Sequence, residues 1–377
     1  MAIPAPQIAS FQPPRRTLMG PGPSDVPQRI LDAMARPTIG HLDPAFSTMM
    51  EETKTLLRYA FQTANKLTFP VSGPGSVGME MCFVNLVEPG DKVIVCVNGV
   101  FGGRMVENVK RTGGLPVVVE DAWGAAVDPA KVEAAFAANA DARMLAFVHA
   151  ETSTGAQSDA ATLAAIARKH GALTIMDCVT SLGGTPVLID EWGIDAAYSG
   201  SQKCLSCTPG ISPVTFGERA IAKVQSRKTP VQSWFMDLNL VLGYWSGEGK
   251  RTYHHTAPIN PLYGLHEALV ILAEEGLEKA WARHRTMHEK LRDGLAAMGI
   301  RFVVDEAARL PQLNSVYIPE GVDDATARTR LINEFNLEIG AGLGALAGKI
   351  WRIGLMGYSA KQENVDYCLK AVKAVVG

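Results

Sequence analysis

The sequence predicts an α/β protein in two parts: a large domain on a mostly parallel sheet and a smaller α+β domain that follows it. Between about residue 68 and residue 217, strand-like apolar runs alternate with helical patterns. Near-continuous apolar strands joined by helices are typical of a parallel sheet that is covered on both faces. The chain has 377 residues, which is more than one ordinary hydrophobic core organises.

The elements follow in chain order. Residues 1–16 are rich in Pro, Ala and Gln, so we predict an extended arm there. The large domain is predicted over residues 17–276, with strands at 92–97, 116–119, 144–148, 172–177, 196–199 and 213–216 and helices that include 160–170 and 262–276. The small domain is predicted over residues 277–377, with strands at 301–304, 314–318 and 350–353, helical patterns at 277–280 and 287–299, and helices at 325–335 and 361–376.

Composition excludes several classes of function. The formal net charge of −2 gives no electrostatic footprint for nucleic acid or an anionic membrane, so neither is an expected partner. We find no run of about twenty apolar residues and no basic start followed by an apolar core, so neither a membrane span nor a secretory signal is expected. Most of the six cysteines lie in apolar runs, which favours a reducing cytoplasm.

Asp177 and Lys203 are the candidate catalytic residues. Asp177 ends the apolar run 172–176, and Lys203 follows the run 195–198, so both lie at the carboxyl ends of predicted strands. That edge of an open α/β sheet is where ligands bind. A lysine can form a Schiff base with an aldehyde and an aspartate can keep a pyridine nitrogen protonated, which are the two groups that pyridoxal phosphate (PLP) requires of a protein. Alone, either residue is more often a surface charge or a helix cap.

A glycine-rich segment supplies a candidate phosphate site. Ser72–Gly78 matches G-x-G-x-x-G and precedes a helical pattern, and free N–H groups at a helix start can hold a phosphate. The same pattern fits a dinucleotide site. That alternative is weaker because the chain before residue 67 is predicted as helix and no acidic residue ends a second strand. We favour the phosphate of PLP.

Four further motifs carry side chains with possible chemistry. Phe101, between glycines after a strand, can lie flat on a planar ring, although a core phenylalanine is the simpler interpretation. Arg352 lies inside an apolar strand and needs an anion, which is either a structural carboxylate or the carboxylate of a substrate. The doubled His254-His255 and the pair Cys204 and Cys207 lack further ligands, so no metal site is predicted.

Taken as an ordered set, these segments resemble the class V, fold-type I, PLP-dependent aminotransferases. The resemblance is strongest to the alanine–glyoxylate and serine–pyruvate aminotransferases and extends from about Gly20 to the C-terminus. It rests on 20–23, 98–99, 149–155, the Asp177 strand, 181–184, 200–203, 253–256 and the Arg352 strand. It implies PLP fold type I, with a sheet of the seven-stranded type in the large domain, and a cytoplasmic homodimer with shared active sites.

The resemblance also implies roles for individual residues. Lys203 would bond the cofactor and move the proton, Asp177 would pair with the ring nitrogen, and Arg352 would bind the substrate carboxylate. The implied cofactor-binding residues are Gly75, Ser76, Phe101, Thr152, Asp177, Val179, Gln202, Lys203, Tyr253 and Thr256, with the last two coming from the partner subunit. The implied substrate-binding residues are Arg352, Gly22, His41 and Tyr253. Pro74 departs from the pattern, since a hydroxyl residue is common at its position.

The resemblance leaves alternatives open for the reaction. The main interpretation is transfer of an amino group from alanine or serine to glyoxylate or pyruvate. Ureidoglycine–glyoxylate aminotransferases are also close, but there a Gln and an Asn are expected where this chain has His41 and Tyr253. A cysteine desulfurase would need a His before the lysine, where Gln202 stands, and a loop cysteine near the C-terminus, where Cys368 lies in a predicted helix. A nucleotide-binding oxidoreductase would leave Lys203 unexplained.

Overall fold

The computed structural model describes residues 3–245 and 251–377. The strands are β1 (Thr17–Leu18), β2 (Leu67–Ser72), β3 (Lys92–Val97), β4 (Leu115–Glu120), β5 (Met144–Val148), β6 (Ala150–Glu151), β7 (Ala156–Gln157), β8 (Leu173–Asp177), β9 (Ala196–Tyr198), β10 (Ile211–Phe216), β11 (Leu313–Tyr317), β12 (Leu337–Glu338), β13 (Gly340–Ala341) and β14 (Ile350–Gly354).

The helices are α1 (Gln28–Met34), α2 (Pro44–Phe61), α3 (Gly75–Leu86), α4 (Val100–Arg111), α5 (Pro129–Ala138), α6 (Ala160–Lys169), α7 (Ile189–Trp192), α8 (Glu218–Gln225), α9 (Leu238–Trp245), α10 (Ile259–Glu275), α11 (Leu277–Ala297), α12 (Asp324–Phe335) and α13 (Gln362–Val376). Aspartates begin several of them. The side chains of Asp43, Asp128 and Asp159 each accept a backbone N–H from the first turn of α2, α5 and α6, which satisfies donors that the helix itself cannot.

The central sheet confirms the predicted fold class. Within the described residues it has seven strands in the order β2-β10-β9-β8-β5-β3-β4. The pairs from β9 through to β4 are parallel, whereas β10 runs antiparallel to both β2 and β9. Every residue of β5 is buried, as expected for a strand with helices on both faces. The edge position of β2 differs from the central first strand of a dinucleotide-binding sheet.

A second core lies beside a three-stranded sheet of order β11-β14-β13. Met19 packs into this core, and β1 pairs in parallel with β12, so the chain just after the arm contacts the C-terminal region. Helix α11 joins the two cores because Leu277 packs in the first and Leu291 in the second. The predicted limits at residues 16 and 276 stay predictions, since regions of contact do not define where a domain folds independently.

Some predicted elements differ from the structure. The expected strand at 301–304 is wrong: Phe302 forms only an isolated bridge with Val316, and the chain bends at the next two residues. The helical patterns expected at 277–280 and 287–299 form one continuous helix, α11, because Ala280 and His284 are buried on the face that joins them. In the part of the chain that the structure describes, we find no helix long and apolar enough to cross a membrane.

Candidate active site

Three neighbouring strands end at one level of the central sheet. The register pairs Val148, the last residue of β5, with Asp177 at the end of β8, and Asp177 in turn with Tyr198 at the end of β9. Because these strands are parallel, the loops that follow them emerge on the same edge. This edge therefore brings together the segments that carry Thr152, Asp177 and Lys203.

Asp177 is a buried carboxylate held by two donors. The backbone N–H of Val179 donates to Oδ1 and the hydroxyl of Tyr198 donates to Oδ2, each at 2.8 Å. Burial raises the pKa of Asp177 to about 7, because removal of water disfavours the ionised form more than the two donors favour it. The site thus holds an acid that changes charge near neutral pH.

Lys203 is buried in the same cavity, with 9% of its surface exposed. Its Nζ donates to the carbonyl oxygen of Pro21, and its own carbonyl accepts a hydrogen bond of 2.8 Å from the hydroxyl of Ser24. Burial lowers its pKa to about 8, and the nearby charge of Arg352 acts in the same direction. The chain that follows the arm therefore fixes the position of this amine.

Gly22 contacts Lys203 directly. Its φ is +104°, a conformation that favours glycine, and a Cβ there would lie 2.6 Å from Nζ of Lys203. Any side chain at residue 22 would displace the amine. The predicted substrate-binding residue thus lies beside the predicted catalytic lysine.

The glycine-rich segment begins α3. Pro74 precedes the helix, Gly75 is its first residue, and Ser76 is exposed. A Cβ on Gly75 would lie 3.2 Å from Cγ2 of Val179, so a side chain would crowd the start of the helix. The first N–H groups of a helix have no partner within it and attract anions. Gln202 extends this polar end, since its buried Oε1 has no hydrogen-bond partner among the described residues.

Phe101 and Thr152 also line the cavity that contains Asp177 and Lys203. Phe101 is half-buried in the first turn of α4, and the guanidinium carbon of Arg104 lies 4.7 Å from its ring centre. The hydroxyl of Thr152 is hydrogen-bonded to that of Thr180. Buried Glu151 accepts the backbone N–H of Phe101 at 3.2 Å, and so fixes the start of α4.

Arg352 is buried on β14 and has no carboxylate within ion-pair distance in the described chain. Its Nε donates to the carbonyl of Ala341 at 2.7 Å, and a terminal nitrogen donates to the carbonyl of Thr152 at 3.1 Å. Burial lowers its pKa to about 10, and Glu151 opposes that effect. The simpler expectation of a structural Asp or Glu partner is therefore not met.

The resulting cavity has a volume of about 200 Å³ and is lined by Pro74, Gly75, Ser76, Met79, Phe101, Arg104, Thr152, Asp177, Val179, Tyr198, Gln202 and Lys203. It contains most residues that the resemblance implied for the cofactor. Sequence reasoning missed Met79, Arg104 and Tyr198. Tyr198 lies on the strand next to Asp177, and this pairing follows from the register of β8 and β9, which the sequence alone does not give.

His41, Tyr253 and Thr256 do not line this cavity. Tyr253 and Thr256 are exposed, with 64% of Tyr253 accessible. The rings of His41 and Tyr253 pack against each other with centres 5.3 Å apart. Tyr253 and Thr256 are thus exposed, His41 is half-buried beside Tyr253, and none of the three lines the active-site cavity of its own chain.

The histidine and cysteine motifs have structural explanations. Nδ1 of His254 lies 2.8 Å from Nδ1 of His255, whose Nε2 lies 3.1 Å from the hydroxyl of Ser72. Over residues 3–245 and 251–377 we find no group of three or more side chains that could hold a metal ion. Cys204 and Cys207 are buried and unpaired, and burial raises the pKa of their thiols to about 12 and about 11. Such thiols are poor nucleophiles.

A larger cavity of about 530 Å³ lies behind the Lys203 loop. It is lined by Leu205, Leu272 and other apolar side chains. Of its charged groups, Glu275 pairs with Arg283, Glu274 pairs with Arg29, and Lys361 lies over the ring of Tyr358. The smaller cavity is the better candidate because it holds an unpaired amine, a buried acid and a helix start.

Replacement of Asp177 by Asn should change how stability depends on pH in the ligand-free protein. The folded protein keeps a proton on Asp177 that the unfolded chain has already lost, so its stability should fall as pH rises from about 4 to about 7. Asp177→Asn lacks this pH-dependent contribution to stability, because an amide does not titrate. The melting temperature of Asp177→Asn minus that of the wild type should therefore grow through this range and then level off.

Asp141→Asn is the matched control, because Asp141 is exposed and Lys92 lowers its pKa. The melting temperature of Asp141→Asn minus that of the wild type should not grow with pH. If calorimetry shows that the difference in melting temperature between Asp177→Asn and the wild type stays constant over the same range, the Asp177 carboxylate is ionised throughout.

Comparison with known proteins agrees with this geometry. A family model described as Aminotransferase class-V matches residues 17–367. The alanine–glyoxylate aminotransferase of Oryctolagus cuniculus is 39% identical over 96% of this chain and 92% of its own length. The (S)-ureidoglycine–glyoxylate transaminase of Bacillus subtilis (strain 168) is 38% identical over 96% of this chain and 91% of its own.

A solved structure is similar throughout. The crystal structure of an alanine–glyoxylate aminotransferase from Nostoc sp. superposes with a TM-score of 0.96 and 45% identity, and the match covers 98% of both chains. The family match spans the glycine-rich segment, the Asp177 and Lys203 strand ends and the Arg352 strand. It confirms the resemblance and the predicted fold type I. The chain belongs to the class-V aminotransferases.

Proposed function

We propose that this protein is a transaminase that moves an amino group from a small amino acid, alanine or serine, to glyoxylate or pyruvate. Its cofactor is pyridoxal 5′-phosphate, as in the PLP fold type I enzymes it resembles. The observation that carries the proposal is a single buried cavity with an amine and an acid, next to a buried arginine that lacks a carboxylate partner.

The residues present fit PLP. Asp177 would accept a hydrogen bond from the protonated ring nitrogen, and this pairing would keep the carboxylate ionised. The start of α3, with Gly75, Ser76 and the unpartnered side chain of Gln202, would hold the phosphate. Phe101 and Val179 would contact the ring, and Thr152 would lie near its phenolic oxygen.

The chemistry needs a group that both takes and returns a proton. When bound, PLP supplies an aldehyde carbon for the amine and a ring that stores the electrons of a broken Cα–H bond. The pKa of Lys203, about 8, lets its amine exist in both protonation states near neutral pH. We assign Lys203 the transfer of the α-proton, since it is the buried amine that lines the cavity.

Arg352 is assigned the α-carboxylate of the substrate. A guanidinium can bind a carboxylate through two parallel hydrogen bonds. Arg352 donates from Nε to the carbonyl of Ala341 and from Nη1 to the carbonyl of Thr152, which leaves Nη2 without an acceptor in the described chain, and its charge has no counter-ion there. A substrate carboxylate would compensate the charge that burial makes costly.

A homodimer with shared active sites would give the exposed Tyr253 and Thr256 a partner. The resemblance assigns Tyr253 and Thr256 to the partner's phosphate site, and the ring contact between His41 and Tyr253 means that His41 would accompany them. Exposure of Tyr253 and Thr256 in the single chain supports the proposal. A cytoplasmic location is also proposed, because all six cysteines are free and buried.

Alanine or serine should be better donors than ureidoglycine, with glyoxylate as acceptor. The pair His41 and Tyr253 offers fewer matched donors and acceptors to a ureido group than two side-chain amides would. Sites that hydrogen-bond a specific polar group discriminate strongly, so kcat/KM should favour the amino acid by about 10-fold or more. Initial rates for each donor, with freshly generated ureidoglycine, measure the ratio.

The double variant His41→Gln/Tyr253→Asn should lower the ratio of kcat/KM for alanine or serine to kcat/KM for ureidoglycine. Tyr317→Asn is the control, since Tyr317 is also exposed but lies on the small sheet, away from the cavity. A wild-type preference for ureidoglycine would overturn the assignment of donor. Absence of transamination with every donor would overturn the proposed function itself.

Hybrid dimers should recover activity. Lys203→Ala and Tyr253→Ala/Thr256→Ala subunits, each inactive or impaired alone, would form a hybrid in which one site has every wild-type residue. Random mixing after dissociation should restore roughly a quarter of wild-type turnover, since half of the dimers are hybrids with one good site each.

Mixing Lys203→Ala with Asp177→Ala is the control. Both residues line the cavity of one chain, so no hybrid site regains both and activity should stay at background. Lack of recovery in the first mixture, with hybrids demonstrated by mass, would contradict shared sites. Full activity of a dilute monomer would contradict them as well.

A further inference from the structure

Arg104 is a basic residue of the cavity that the proposed function leaves unassigned. It lies three residues after Phe101 on α4, and its guanidinium carbon is 4.7 Å from the centre of the Phe101 ring. The same side chain lines the cavity together with Gly75, Ser76 and Met79, at the start of α3. Arg104 therefore lies between Phe101, which would contact the cofactor ring, and the start of α3, which would hold the phosphate.

The charge of Arg104 is not neutralised by a neighbouring acid. No carboxylate of the described residues lies within 4.0 Å of its guanidinium, although Glu107 is one turn away. Glu107 instead pairs with Lys110 at 3.3 Å and with Arg111 at 3.8 Å. Of the side chains that line the cavity, only Arg104 and Lys203 are basic.

A groove leads from solvent to this arginine. It has a volume of about 210 Å³, runs between α3 and α4, and shares Ser76, Met79 and Arg104 with the active-site cavity. Because Arg104 is exposed on the groove, its guanidinium can turn toward an anion at the start of α3 without breaking a buried contact.

The start of α3, where the phosphate would bind, needs an additional positive charge. Pro74 offers neither a hydroxyl nor a backbone N–H, so this chain lacks donors where the family pattern has them. The phosphate would also enter a cavity that already contains Asp177. The start of α3 contributes only about half an elementary charge. A fixed cation would lower the cost of placing two anions in one cavity.

We propose that Arg104 stacks on the Phe101 ring and, from that position, anchors the phosphate group of PLP. The inference rests on the proposed function. A guanidinium that stacks on an aromatic face keeps its edge N–H groups available, so one side chain can do both. The ligand class is a phosphate monoester, and Arg104 is a positioning residue and not a catalytic one.

The test compares PLP with pyridoxal, which lacks the phosphate, in binding to the cofactor-free protein. Arg104→Gln should weaken PLP binding by about 10-fold or more, because a charge-assisted phosphate contact is lost. It should change pyridoxal binding by less than about 2-fold, and Arg104→Lys should retain most of the PLP affinity. Quenching of tryptophan fluorescence gives both dissociation constants, and inorganic phosphate should compete with PLP less well in Arg104→Gln.

Arg111→Gln is the matched control, since Arg111 lies in the same groove but does not line the active-site cavity. It should bind both ligands like the wild type. Arg104→Met keeps the stem over Phe101 without the charge, and so repeats the test should Arg104→Gln be unstable. Equal losses for PLP and pyridoxal, or no loss for either, would overturn the phosphate assignment. Failure of the wild type to bind PLP would instead overturn the proposed function.

Discussion

The burial of an acid and an amine in one cavity is the constraint on which this structure depends. Asp177 and Lys203 both have pKa values displaced toward neutrality, about 7 and about 8, because each has lost water. The fold does not neutralise them against each other. It binds Asp177 to Val179 and Tyr198 and holds Lys203 through Pro21 and Ser24. A ligand with a protonated ring nitrogen and an aldehyde carbon satisfies both groups.

Both cores contribute to this arrangement. The large sheet presents Asp177 between two neighbouring strand ends, while β14 carries Arg352 toward the loop of Thr152. The hydrogen bond from Arg352 to the carbonyl of Thr152 joins the regions at the cavity itself. Movement of one core relative to the other would therefore change the distance between the carboxylate-binding group and the amine.

Sequence reasoning located the residues whose chemistry is visible in local context. Asp177 and Lys203 follow apolar runs, and the glycines mark the start of α3, so strand ends and helix starts could be predicted. Tyr198 and Arg104 could not, because their relation to Asp177 and Phe101 exists only after strand register and helix packing bring them together. The strand expected at 301–304 failed since apolar composition alone does not show whether a partner strand continues beside it. His41, Tyr253 and Thr256 were assigned by the resemblance alone; in the described chain they do not line the cavity, and their place in a shared site stays a prediction.

The central claim is that Asp177 keeps the ring nitrogen of the cofactor protonated. The direct measurement is the ¹⁵N chemical shift of the pyridine nitrogen in labelled PLP bound to the protein, followed across neutral and mildly alkaline pH. We expect a protonated nitrogen throughout this range in the wild type and a largely unprotonated one in Asp177→Asn. An unprotonated nitrogen in the wild type, or the same shift in both proteins, would contradict it.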